Sequence, residues 1–244
     1  MLTNRVIVWF SCGAASACAA RLAITEYPDA LVVYCDTSKT ESSDNPRFMA
    51  DVERWIGKRV TIIRSGKYAT VDDVFMGERY MAGPGGARCT VEMKKVPRFE
   101  FQRPDDLHIF GYTKDEKKRI RLFEQNNPEL ATDWILVRHD MTKARCLAMV
   151  TDAGIALPVL YAQGFKNNNC IGCVKATSPE YWNRVRTFYP DVFKRRVSQS
   201  RELNVRLVEF HGERIFLDEM PSVSGPITED LSCGPYCQIG DNAK

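Results

Sequence analysis

Histidine is scarce in this chain: three residues (His108, His139 and His211) stand far apart among 244. A histidine-rich zinc centre is therefore not expected. No apolar run approaches the roughly 18–20 residues needed to cross a bilayer, so no membrane partner is expected either. No secretory leader is read at the start, where Met1–Arg5 runs directly into the short apolar run Val6–Phe10; a cytoplasmic location follows as an expectation. Internal repeats and low-complexity tracts are lacking, which argues against solenoid and fibrous architectures. A dominant charge is lacking too. The 34 basic and 31 acidic residues leave a net +3, a balance that neither requires nor excludes nucleic acid as a partner. With 44% hydrophobic and 27% charged residues, the composition is that of a folded globular chain and not of a disordered one.

Cysteine is the residue in surplus, with nine in the chain. In a reducing compartment thiols stay reduced, so closely spaced cysteines point to metal or sulfur chemistry and not to a disulfide framework.

Short apolar runs alternate with helical patterns. Strands are predicted at Val6–Phe10, Ala30–Cys35, Val60–Arg64, His108–Phe110 and Trp134–Val137. Helices are predicted at Gly13–Ala23, Asn45–Ile56 (with Pro46 in its first turn, where proline is tolerated) and Asp115–Asn126. Apolar strands separated by helices imply parallel βαβ units, and hence an α/β fold with an open sheet covered on both faces. Residues 1–200 are read as this domain. Residues 201–244 are read as an extension carrying a hairpin (Val205–Phe210 with Arg214–Leu217) and a cysteine tail. The glycine-rich segment Met81–Arg88 is read as a mobile loop, and Gly164–Ala176 as a loop bearing a tight cysteine pair.

Ligands of open parallel sheets sit beyond the carboxyl ends of the strands, which directs attention to the residues after Phe10, Cys35 and Phe110. Ser11-Cys12-Gly13-Ala14-Ala15-Ser16 follows a strand and opens a helix. Its small residues let backbone amides approach an anion, the helix N-terminus adds about half a positive charge, and Ser11 and Ser16 offer hydroxyl donors. The same residues also read as a serine-capped helix start. Asp36 and Thr37 end the second strand with groups suited to ribose or Mg²⁺. Gly111-Tyr112 ends the fourth, followed by Glu116 and Arg119, in a stretch that also reads as a solvated charged helix face.

Cys170-x-x-Cys173 can hold one zinc or two corners of an iron–sulfur cluster. Cys233 and Cys237 form a second pair. Cys89 precedes Lys94 and Lys95, and a nearby cation favours the thiolate. Cys12, Cys18 and Cys35 read as buried and inert, while Cys146 is open to either role. Tyr181–Arg186 and Lys194–Arg196 interleave aromatic rings with cations, a pattern that stacks bases and contacts phosphates; at helical spacing the same rings read equally as core.

Five stretches carry a resemblance: FSCGAASA (Phe10–Ala17), YCDTS (Tyr34–Ser38), RCTVEMKKVPR (Arg88–Arg98), FGYTKDEKKR (Phe110–Arg119) and NNNCIGCVKA (Asn167–Ala176). Over most of its first 200 residues the chain resembles the phosphoadenylyl sulfate (PAPS) reductase-like group of the adenine nucleotide alpha-hydrolase superfamily, which occurs in phage and bacterial genomes. The resemblance implies a Rossmann-like sheet that binds ATP or an adenylyl sulfate. Ser11, Cys12, Gly13, Ala14 and Ser16 would lie at the phosphates, with Asp36, Thr37, Lys95, Gly111 and Arg119 around the nucleotide and Lys94 and Arg98 nearby. The usual loop aspartate is replaced by Ala15, so Mg²⁺ would need Asp36 or another group.

The resemblance also implies a [4Fe–4S] cluster on Cys89, Cys170 and Cys173, with Cys237 as fourth ligand and Cys233 as the catalytic thiol. Family members carry two adjacent cysteines where this chain has Cys89-Thr90, and Glu-Cys-Gly where it has Ser232-Cys233-Gly234. A second arrangement puts both tail cysteines on the metal and leaves Cys89 reactive. The implied activity is reduction of PAPS or its 3′-unphosphorylated analogue, or ATP-dependent sulfur transfer to an acceptor, served by a reductant or sulfur-donor protein. Family members pair, so a homodimer is implied; for a phage-encoded chain the location is the host cytoplasm. The reading from another class is a zinc-stapled module that binds nucleic acid or protein without turnover.

Overall fold

The computed structural model describes residues 5–83, 86–229 and 231. The chain forms two compact units whose segments interleave in sequence. The first comprises residues up to Asp36, Ser43–Arg64 and Pro97–Pro158; the second comprises Thr37–Ser42, Ser65–Val96 and the residues from Val159 onward. The boundary expected at residue 200 falls inside the second unit. Among the described residues no helix is long and apolar enough to cross a membrane.

The first unit is an α/β sheet of the Rossmann type. Its five strands are β1 (Val6–Phe10), β2 (Leu31–Cys35), β3 (Val60–Ile63), β4 (Leu107–Phe110) and β5 (Ala131–Asp133), all parallel and in the order β3-β2-β1-β4-β5. Ile7, Val8, Val33 and Ile109 have no exposed surface, as expected of strands covered on both faces. Helix α1 (Ala14–Glu26) buries Ala17, Cys18, Ala19, Ala20 and Ala23, side chains small enough for close approach. The Cys18 thiol donates to the Cys146 carbonyl (3.3 Å) on the neighbouring helix Lys143–Asp152. The side-chain interaction with Cys146, and next burial, push the Cys18 thiol far up, so it is inert. Cys12, Cys35 and Cys146 are buried as well.

Helix α2 (Asn45–Ile56) inserts Phe48, Val52 and Ile56, spaced four apart, as one buried stripe. The predicted strand at Trp134–Val137 is corrected. The strand is the more polar Ala131–Asp133, and Ile135–Arg138 is a helical turn with Ile135 and Leu136 buried. A short apolar run does not distinguish a buried helix from a strand. Here Arg138 reaches back to Asp133 through Nε (2.9 Å) and Nη2 (2.7 Å), closing the turn.

The second unit has its own core, in which Phe75, Met81, Leu160, Trp182, Val185 and Leu217 meet. Helices Val71–Glu78, Pro179–Phe188 and Pro190–Glu202 and the hairpin Val208–Phe210/Glu213–Ile215 surround it. The loop expected at Met81–Arg88 contains a short ribbon, Ala82–Gly83 against Gly86–Ala87, with Met81 wholly buried beside it. Apolar flanks, invisible to a count of glycines, anchor that segment. Val91–Lys95 forms a π turn, in which the Val96 amide bonds the Val91 carbonyl five residues back. Pro97 lacks an N–H and its ring crowds the carbonyl four residues earlier, which favours the wider turn.

Candidate functional site

The strand order places a topological switch point between β1 and β4. Neighbouring connections leave in opposite directions there, opening a crevice at the carboxyl ends. The turn Ser11–Gly13 and the start of α1 stand at that point. Ser16 Oγ donates to the Gly13 carbonyl (3.0 Å) and accepts from the Ser11 N–H (3.1 Å) and the Ser11 hydroxyl (3.2 Å). The two serines thus fold the turn onto the first turn of the helix. Gly13 occupies the N-cap position without a side-chain cap, and no acidic residue lies in the first turn. An anion there meets the helix dipole without a competing carboxylate. Cys12 adopts a left-handed backbone (φ +54°), which costs a non-glycine residue about 1–2 kcal/mol. Such strain concentrates where a binding turn must hold one shape.

Gly111 completes this crevice. A methyl group on it would lie 2.8 Å from both Ser16 N and Ser16 Cα. Glycine is therefore required for the end of β4 to press against the first turn of α1. Beyond it, the Thr113 N–H (2.9 Å) and hydroxyl (3.1 Å) both bond Glu116, whose other oxygen meets Arg119. The Arg119 guanidinium lies 4.7 Å from the Tyr112 ring centre, within an aromatic cluster with Phe110, Phe123 and Trp134. Asp36 ends β2, and its carboxylate accepts from Arg64 (2.8 Å). The first unit thus brings Ser11, Cys12, Gly13, Ala14, Ser16, Asp36, Gly111 and Arg119 to the carboxyl ends of β1, β2 and β4. Thr37 and Lys95 belong to the second unit, where Thr37 donates to Glu41. Lys94 is buried in the second unit, and Arg98 is buried in the first with its guanidinium 4.0 Å from the Phe99 ring centre.

The second unit builds the cysteine loop. The hydroxyl of fully enclosed Tyr181 accepts from the Cys173 N–H (2.8 Å) and faces the Cys170 carbonyl (3.3 Å). Burial, and next the Cys173 sulfur, push the Tyr181 phenol up, so it stays a neutral donor. The Ile171 N–H donates to the Thr40 carbonyl (2.8 Å), and Thr40 Oγ1 stands 3.5 Å from Cys170 Sγ. Cys173 is buried; Cys170 and Cys89 are half-buried, and Cys89 packs on the same apolar core as Cys173.

A pocket beside Cys170 is bounded by Phe165, Asn169, Tyr181, Ile227 and Leu231. Ile227 and Leu231 are buried, and the Leu231 carbonyl accepts from Asn169 Nδ2 (2.7 Å) and Asn167 Nδ2 (3.1 Å). Glu229 accepts from the Thr177 N–H (2.9 Å) and the Ser178 N–H (3.2 Å), and Lys166 bonds the Thr228 carbonyl. Cys233 and Cys237 lie outside the described residues, beginning two positions after Leu231.

The donor chemistry at Cys170 and Cys173 suits a metal or cluster that takes thiolates. Among the described residues no group of three or more histidine, cysteine or acidic side chains is placed to hold a metal ion.

The arginines of the aromatic stretch are engaged within the fold. Arg184 donates to the Gln163 (3.0 Å) and Gly225 (2.9 Å) carbonyls, Arg195 pairs with Asp72 (2.9 Å), and Tyr181 and Trp182 are core. The asparagines at 167 and 169 read from the sequence as loop formers suited to hold the cysteines, whereas Tyr181 and Thr40 escaped the sequence reading as supports of the loop. Thr40 lies 130 residues from Cys170 and so carries no local signal, and the Tyr181 ring read as core or as a base-stacking surface. No family model and no curated protein matches the chain.

Proposed function

We propose that this protein is a nucleotide-dependent sulfur-chemistry enzyme of the PAPS reductase-like type. The observation that carries the reading is the strained, serine-bonded turn at the switch point of a 3-2-1-4-5 sheet, opening an uncapped helix. Preorganised amides and a helix terminus there stabilise the charge of a phosphate chain. Asp36, paired with Arg64 beyond β2, carries the kind of carboxylate that meets a ribose or Mg²⁺, and Tyr112 and Trp134 offer aromatic surface for the base. The second unit contributes the thiols. The resemblance adds an iron–sulfur cluster on Cys170 and Cys173 with two further thiolates, either Cys89 and Cys237 with Cys233 as the reacting thiol, or Cys233 and Cys237 with Cys89 as the reacting thiol. Such a cluster, when bound, would supply redox or sulfur chemistry beside the cysteine loop.

Two reactions fit. In the first, a cysteine thiolate attacks the sulfur of an adenylyl sulfate; the S–O bond to the nucleotide breaks, the nucleoside phosphate leaves with the electron pair, and a thiol reductant then frees sulfite. In the second, an acceptor attacks the α-phosphorus of ATP and pyrophosphate leaves; the terminal sulfur of a cysteine persulfide on the donor then displaces AMP, and a second thiol cleaves the resulting disulfide, leaving the sulfur on the acceptor.

Calorimetry with ATP and with an adenylyl sulfate tests the reading. Wild type is expected to bind at least one of them. Gly111→Ala, which drives a methyl group into the Ser16 backbone, is expected to weaken that binding at least about tenfold, or 1.4 kcal/mol. No binding of either nucleotide by wild type, or unchanged affinity in Gly111→Ala, sinks the nucleotide site. A colourless protein that carries zinc and binds neither nucleotide would mark a stapled binding module instead.

A further inference from the structure

We propose that the acceptor in the second of these reactions is a nucleic acid, gripped by its phosphate backbone along a row of cations beside the crevice of the first unit. The inference rests on the nucleotide-dependent reading above and names the acceptor for it. The row is Lys114, Lys117, Lys118 and Arg121, on the helical turn Lys114–Glu116 and the helix Lys117–Asn126 that continues it. The spacing i, i+3, i+4, i+7 puts all four on one face. The other face buries Ile120 and Phe123, so the helix has no apolar side left to lie in a membrane. The row begins three residues after Gly111, beyond the carboxyl end of β4. A strand of nucleic acid lying along it leads to the crevice where the serine-bonded turn stands.

Within Lys114–Arg121 five cations meet two carboxylates, and both carboxylates are engaged elsewhere. Glu116 holds Arg119, and Asp115 accepts from the Lys143 N–H (2.9 Å). Lys114 pairs with Asp140, but that carboxylate also binds Arg145 (2.9 Å). Farther along the helix, Glu124 accepts from the Trp134 indole (2.8 Å). Lys117, Lys118 and Arg121 are exposed, and among the described residues their side chains make no hydrogen bond or ion pair. Like charges three and four apart on a helix repel, here Lys114 with Lys118 and Lys117 with Arg121. A chain of phosphates relieves that repulsion. Seven residues of helix advance about 10 Å, the length of about three stacked nucleotides at roughly 3.4 Å each. A regular line of cations thus meets a regularly charged backbone.

The test is fluorescence anisotropy of the full chain with a labelled single strand of about 16 nucleotides, in RNA and DNA forms of one sequence, across a range of salt. Wild type is expected to bind, and the form bound more tightly identifies the source of the backbone. Lys117→Gln combined with Lys118→Gln is expected to weaken binding about fivefold for each lysine at ~0.1 M salt, and to flatten the slope of log K against log salt by about 0.7 for each. Both side chains are exposed, so the variant keeps its fold. Arg59→Gln, just before β3 at the opposite end of the sheet and 91% exposed, is expected to change neither. Polyglutamate of equal charge, whose carboxylates sit on flexible side chains with no stacked bases to space them, is expected to compete at least about tenfold more weakly. Polyglutamate that competes equally, or a double variant that matches wild type, overturns the inference. Calorimetry with ATP and an adenylyl sulfate separates the two readings. A wild-type chain that binds either nucleotide but no strand overturns this inference alone. One that binds the strand but neither nucleotide overturns the nucleotide-dependent reading, and the acceptor role with it.

Discussion

The two units solve the same problem, holding reactive groups still, by opposite routes. In the first, the site grows from neighbours in sequence. Ser11, Gly13 and Ser16 bond one another across five residues, and one distant glycine, Gly111, closes against them. In the second, the cysteine loop is held from afar. Thr40 reaches it across 130 residues, and Arg196 ties it to Asp72 across 124. The thiols differ in the same sense. Cys12, Cys18, Cys35 and Cys146 of the first unit are all buried, whereas Cys89 and Cys170 of the second are half-buried. A locally encoded site tolerates losses in its surroundings, while a site assembled from separate segments depends on its core.

That contrast can be broken most severely at Trp182. The side chain is wholly buried, stands edge-on to Tyr181 (5.4 Å) and donates to the Ala176 carbonyl (2.9 Å). Trp182→Ala is expected to cost about 4 kcal/mol. Hydrogen exchange should show lost protection across 159–231 with the sheet strands still protected. Simultaneous loss in both units would show that they are one cooperative body.

A smaller effect belongs to the first unit alone. His108 has no exposed surface, and its Nδ1 accepts from the Trp9 indole (3.1 Å). Burial pushes its pKa down to about 4. The unfolded chain, titrating near 6.5, therefore binds more protons than the native one across the window from about 6.5 down to 4. Stability is full above that window and falls as the pH drops through it, by about 2 kcal/mol at pH 5. Subtracting urea unfolding curves of His108→Gln, whose amide oxygen can replace the acceptor, isolates this slope. Equal slopes for the two proteins would remove His108 as its source.

The same difference governs what could be read in advance. The strands β1 and β2, helix α2 and the serine-bonded turn after β1 were legible because each is written in consecutive residues: apolar runs, a stripe of period four, small residues after a strand. β5 was misplaced because Ala-Thr-Asp carries no apolar signature, and only its pairing with β4 makes it a strand. Arg196 was illegible for a related reason. In Lys194-Arg195-Arg196 all three residues look like a solvated face, yet one is enclosed and the next is half-exposed. Nothing local marks which of them turns toward Gly172. The pairing of Cys170 with Cys173 was visible from spacing, but its supports come from three chain segments.

The finest probe of the comparison is Thr90, beside Cys89 in the second unit. The residue is 2% exposed, and among the described residues its hydroxyl oxygen has no hydrogen-bond partner. A buried hydroxyl without a partner costs about 1–3 kcal/mol, and removing it without changing shape recovers part of that. Thr90→Val is nearly isosteric, so it is expected to raise stability by about 1 kcal/mol in urea unfolding, with iron content unchanged. A destabilised variant that also loses iron would instead assign the hydroxyl to the thiol-bound group. Cys89 would then join Cys170 and Cys173 as a ligand, and the reacting thiol would have to be sought in the tail.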